Sequence, residues 1–66
     1  MKVNGKELSV GELSSPSVSA LLQSLKLKPE TVAIQRNGEI LKRGIWEEIS
    51  LTEEDRIEIL KFVGGG

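Results

Sequence analysis

Two Asn-Gly dipeptides, Asn4-Gly5 and Asn37-Gly38, constrain the chain most, because this pair between alternating apolar residues is a strong signal for a two-residue β-hairpin. Met1 and Val3 alternate with Lys2 and Asn4 ahead of the first turn, and Leu8 and Val10 resume the alternation after it. The pattern reads as strand, tight turn, strand. Val32, Ala33 and Ile34 form a short β-prone run into the second turn, which returns through Ile40 and Leu41. Between the hairpins, Gly11 to Pro16 carries Gly, Ser and Pro, a cluster that ends the first hairpin, with Leu13 expected to tuck beneath it.

A helix is predicted next. Ser17 is placed to cap it by accepting a hydrogen bond from an orphan amide, and Val18, Leu21, Leu22 and Leu25 follow at i, i+3, i+4 and i+7. The polar spacers Ser19, Gln23 and Ser24 leave one side to bury, so the helix should lie across a sheet. Pro29 disfavours helical geometry at Lys28 and closes the segment. Lys42 to Ile49 mixes Ile45, Trp46 and Ile49 with charges and reads as a crossing segment, a short helix or an irregular turn. Arg56 to Val63 is the best strand, with Ile57 and Ile59 alternating against Arg56 and Glu58. The order predicts an α+β domain of the β-grasp layout, a mixed sheet of four to five strands covered on one face by one helix. In that layout the last strand lies centrally beside the first, which places Ile57 and Ile59 in the core.

A length of 66 residues predicts a single domain over residues 1–66. With no Cys and no His, disulfide scaffolds, zinc sites and Cys nucleophiles are excluded. An apolar fraction of 38% and a charged fraction of 29% are those of a globular domain, not a disordered tail. The formal net charge of −1 and the lack of a basic stripe argue against nucleic acid as a partner. No apolar run approaches the ~20 residues that span a bilayer, and the opening residues lack the apolar segment of a signal peptide. The expectation is a cytoplasmic protein with no membrane partner.

The strand is followed by Val63-Gly64-Gly65-Gly66. Three glycines have no side chains to pack, so their value lies in backbone freedom and slimness. Such a tail can thread a narrow channel and present the Gly66 carboxylate as an acyl donor, with Gly64 and Gly65 entering a partner's active site. A frayed terminus or a cloning linker would give the same composition.

The sequence resembles the ThiS family, the ubiquitin-like sulfur carriers of thiamine thiazole synthesis, over essentially its whole length. Four features carry the resemblance: the capped helix from Ser17 to Leu22, the Ala33-Ile34 run leading into Gly38-Glu39-Ile40-Leu41, the Arg43 to Trp46 crossing, and Asp55 to Leu60 running into the glycine ending. The ending is the most diagnostic. Many members have Gly where this chain has Glu53-Glu54, and many end after two glycines. The resemblance implies that a ThiF-like adenylating enzyme consumes ATP to activate the Gly66 carboxylate, and that sulfur from a persulfide donor replaces AMP to leave a thiocarboxylate. It implies delivery to a ThiG-like thiazole synthase, no bound cofactor, and a carrier that is substrate and not enzyme. The sulfur carrier of molybdopterin synthesis, a ubiquitin-like modifier and a plain binding module are the competing readings.

Other candidate residues read as structural. Glu47-Glu48 and Glu53-Glu54-Asp55 are expected to be solvated surface and helix- or turn-start charges, and Trp46 a core plug. Leu60 and Phe62 alternate with Ile59 and Lys61 and so should face away from the helix. Beside the tail they read as a partner-docking patch, unless a strand bulge turns them inward.

Overall fold

The computed structural model describes residues 1–62. Its elements are β1 (Lys2–Val3), β2 (Lys6–Glu7), α1 (Val18–Ser24), β3 (Val32–Arg36), β4 (Glu39–Leu41) and β5 (Arg56–Lys61), with short 3-10 helices at Val10–Glu12, Pro29–Thr31 and Arg43–Glu48. The strands form one mixed sheet in the order β2-β1-β5-β3-β4. β5 runs parallel to β1 and antiparallel to β3, so the last strand is central as the β-grasp layout requires.

Both turns need two consecutive residues with positive φ, and the Asn-Gly pairs supply them: Asn4 and Gly5 at 50° and 84°, Asn37 and Gly38 at 52° and 87°. Asn tolerates this region and Gly has no Cβ to clash, which matches the hairpin to the twist of its strands. The first hairpin is shorter than its alternation predicts. β2 ends at Glu7, and the Leu8 N–H still donates to the Met1 carbonyl at 2.8 Å, but Val10 turns into a 3-10 helix. β1 offers no further partner there, and the Val10 N–H is taken by the Glu53 carboxylate at 3.0 Å.

Ser17 caps α1 as expected, its Oγ accepting from the Ala20 N–H at 3.1 Å. Val18, Leu21 and Leu22 are buried against the sheet. Leu25 is not, and this corrects the i+7 expectation. The helix stops at Ser24, Leu25 is its C-cap, and Lys26 enters the left-handed region at φ 58°. The Leu27 N–H donates to the Leu22 carbonyl at 2.9 Å and the Lys26 N–H to the Gln23 carbonyl at 3.0 Å, which together make a Schellman closure. Leu27, not Leu25, therefore packs against the core. Lys28 is extended ahead of Pro29, as the proline demands.

The helix layer of Val18, Leu21 and Leu22 packs on Val32, Ile34, Ile57 and Ile59, with Met1, Val3, Trp46 and Leu51 completing the core. Burying each large side chain contributes about 1.5–3 kcal/mol. Trp46 is the core plug expected, and its indole N–H is not wasted: it donates to the Leu41 carbonyl at 2.9 Å. The Arg43 guanidinium lies 5.3 Å from the Trp46 ring centroid and donates to the Val32 carbonyl at 3.3 Å, tying the crossing segment to β3.

Asp55 overturns the surface reading of the acidic run, being 5% exposed while Glu53 and Glu54 are open to solvent. A buried carboxylate needs partners. Asp55 has three: its Oδ2 accepts from Arg36 Nε at 3.1 Å and the Thr52 N–H at 2.9 Å, and its Oδ1 accepts from Asn37 Nδ2 at 3.0 Å. The second hairpin turn is thereby fastened to the start of β5.

Candidate functional site

The pairing register decides which side chains leave the core. Ile34 pairs with Leu41 and Ile59 on the helix side, so Ile40 opposite Gln35, and Leu60 opposite Ala33, belong to the other face. The β3–β5 register runs unbroken from Val32 with Lys61 to Arg36 with Ile57, and no bulge turns Leu60 inward. Beyond the strand, the Phe62 N–H donates to the Thr31 carbonyl at 2.9 Å, which keeps Phe62 in the same alternation.

Ile40, Leu60 and Phe62 are 58%, 46% and 60% exposed, with Gln35 beside Ile40 and Ala33 beside Leu60 on the same face. They form an apolar strip on the open face, with Leu60 and Phe62 at the end of the sheet toward which β5 runs and Ile40 further back on β4. Ile40 was not singled out from the sequence, because only the pairing of Leu41 with Ile34 shows which of the two neighbours faces out. The strip has no reactive group of its own. Gly64, Gly65 and Gly66, expected to carry the chemistry, lie outside the described residues.

The charged clusters have structural work. Burial pushes the Asp55 carboxyl up, but the hydrogen bonds from Thr52, Asn37 and Arg36, with the Arg36 charge, outweigh it and hold the group below the usual carboxylate range. Glu53 is also held low, first by the Val10 N–H, then by the Met1 ammonium at 3.2 Å and the Ser9 hydroxyl at 3.0 Å. Glu47 and Glu48 are exposed. Among the described residues no group of three or more His, Cys, Asp or Glu converges to hold a metal ion, and no helix is long and apolar enough to cross a membrane.

The ThiS family model matches residues 1–66. The sulfur carrier protein ThiS of Bacillus subtilis is 35% identical over 66 residues, covering 100% of this chain and 98% of that one. The crystal structure of the thiamine biosynthesis protein ThiS of Geobacter metallireducens superimposes with a TM-score of 0.77 at 38% identity, covering 98% of this chain and 96% of that one. A thiazole synthase of Magnetococcus marinus is 40% identical over 50 residues, which are 76% of this chain and 15% of the synthase, so the similarity spans a small part of that longer protein.

Proposed function

The chain belongs to the ThiS family, and from that premise we propose that it carries sulfur for thiamine synthesis as a thiocarboxylate on Gly66. One observation supports this reading above the others: the whole-chain likeness to a ThiS sulfur carrier coincides with exposed apolar side chains, Leu60 of β5 and Phe62 just after it with Ile40 of β4 on the same face, ahead of the three glycines.

A carboxylate resists nucleophiles because its charge opposes them. In the proposed first step a Gly66 oxygen attacks the α-phosphorus of ATP on an adenylating enzyme, pyrophosphate leaves, and an acyl adenylate forms. The terminal sulfur of a persulfide then attacks the acyl carbon and AMP leaves. A thiol reduces the resulting acyl disulfide, releasing the Gly66 thiocarboxylate and oxidising the thiol to a disulfide. Gly64 and Gly65 carry this group into each partner's active site, where any Cβ would widen the tail. The folded domain, residues 1–62, supplies recognition through Leu60 and Phe62 and takes no part in bond making. Its thiazole synthase partner accepts the sulfur for the ring, a role supported by the likeness to part of a thiazole synthase. The work is placed in the cytoplasm, where ATP is available.

The same likeness favours the thiazole route over molybdopterin synthesis and over protein modification. Intact mass spectrometry after incubation with ATP, the adenylating enzyme and a persulfide source tests the reading. The expected product is heavier by the difference between one sulfur and one oxygen, with the gain located on Gly66 by fragmentation. An unchanged mass, or a gain elsewhere in the chain, would overturn it.

A further inference from the structure

Basic side chains gather at one end of this nearly neutral domain. At the end of the sheet where β5 finishes, Lys61 pairs with Val32, Arg43 donates to the Val32 carbonyl, and Lys42 precedes Arg43. The Lys28 carbonyl accepts from both the N–H and the hydroxyl of Thr31, whose own carbonyl holds Phe62. Lys28, Lys42, Arg43 and Lys61 are thus brought to one end of the sheet, all exposed, with none in an ion pair among the described residues. Glu30 is the one acidic residue in the Pro29–Thr31 turn beside them. The opposite end, about 17 Å away at the rise of a six-residue strand, is mixed, exposing Lys2 and Arg56 of the β1–β5 register as well as Glu39, Glu53 and Glu54.

Net charge does not explain this, since it is −1 for the whole chain. The arrangement is a local cluster of cations at the end of the strand that leads to the glycines. Cations placed around the base of a tail meet whatever rims the channel that the tail enters, and they adjoin the apolar strip of Leu60 and Phe62.

We propose that Lys28, Lys42 and Lys61 form a steering collar that recognises an acidic protein rim at the mouth of the adenylating enzyme's tail channel. The proposal rests on the sulfur-carrier reading and adds to it the chemistry of the partner surface. Apolar contacts at Leu60 and Phe62 hold the complex once it is formed, whereas the collar acts earlier, orienting the carrier tail-first during encounter. Arg43 has a second duty to Trp46 and Val32 and is left out of the collar's test.

The test measures association and dissociation rates with the purified adenylating enzyme for wild type, for Lys28→Glu, Lys42→Glu and Lys61→Glu singly, and for the triple variant. Each is measured at low and high salt, beside thermal melting. The triple variant is expected to associate about 10–100-fold more slowly at low salt, with the gap closing at high salt, because steering between exposed charges is screened beyond roughly 10 Å. Dissociation and melting should change little, and the single variants should show partial losses should the triple variant fold poorly. Unchanged association rates and salt dependence, in a carrier that still gains sulfur, would overturn the collar and leave the carrier reading standing. A raised KM for ATP with normal carrier association would also overturn it, by assigning the cations to the nucleotide's phosphates. Failure of the wild-type chain to gain sulfur would remove the carrier reading itself.

Discussion

Asn4 faces the Ile59 peptide as another strand would: its Oδ1 accepts from the Ile59 N–H at 2.7 Å, and its Nδ2 donates to the Ile59 carbonyl at 3.4 Å. β1 ends at Val3, so the side chain of a turn residue continues the ladder beside β5. Asn4→Ala should cost about 1–3 kcal/mol, because it orphans the Ile59 groups and puts a residue with no polar side chain at positive φ. Asn4→Asp retains the acceptor and should cost less. Coincident urea midpoints for wild type and Asn4→Ala would show the contact to be unimportant.

Asp55→Asn should cost about 1–3 kcal/mol at neutral pH, since an amide nitrogen would then confront one of three donors now aimed at two carboxylate oxygens. The folded carboxyl is held low, so its contribution is fully present above the ordinary aspartate value of about 3.9 and fades as pH falls through the folded value. Denaturation midpoints taken through stepwise acidification should therefore converge for wild type and Asp55→Asn. A constant gap down to strong acid would contradict this.

Ile59 and Phe62 make a matched pair on opposite faces of one strand. Ile59→Ala empties a core site and should cost about 2–5 kcal/mol of folding stability. Phe62→Ala should leave melting nearly unchanged, since its ring is 60% exposed, and weaken binding to the adenylating enzyme or the thiazole synthase by about 1–3 kcal/mol. Melting curves and partner titrations on both variants decide the matter. A large melting loss in Phe62→Ala with intact affinity would remove the docking role.

Lys26→Gly should stabilise the protein by about 1 kcal/mol or less, because the left-handed strain on a residue with a Cβ is relieved while the unfolded chain gains freedom. This is read from thermal melting, and a destabilised variant would mean that Lys26 has an unnoticed contact.

Removing Gly65 and Gly66 should abolish sulfur loading without altering the melting curve. Thiocarboxylate formation by the shortened chain would sink the assignment to Gly66, and an unaffected biological role would favour a plain binding module.

Local chemistry made much of this fold legible. The Asn-Gly turns, the Ser17 cap and the alternation of Ile57 and Ile59 act over a few residues, and their signals lie side by side in the chain. What was hidden depends on distant partners or on a missing marker. Asp55 looked like one more surface acid because its partners Arg36 and Asn37 belong to another hairpin. Leu25 looked like core because the helix closes on Lys26 with no glycine to announce it. The outward turn of Ile40 required the β3–β4 register. The same holds for the candidate site: alternation alone placed Leu60 and Phe62 together, but their apolar neighbour emerged only from the pairing.

The central position of β5 has a mechanical meaning. It is laced to β1 on one side and β3 on the other, so a pull on its far end runs along both ladders and across their hydrogen bonds. Those bonds must shear together, whereas the bonds of an edge strand peeled sideways give way one at a time. On the proposed reading, an enzyme that draws the glycines into a channel would tug on the domain in its stiffest direction, with the folded body as a rigid handle.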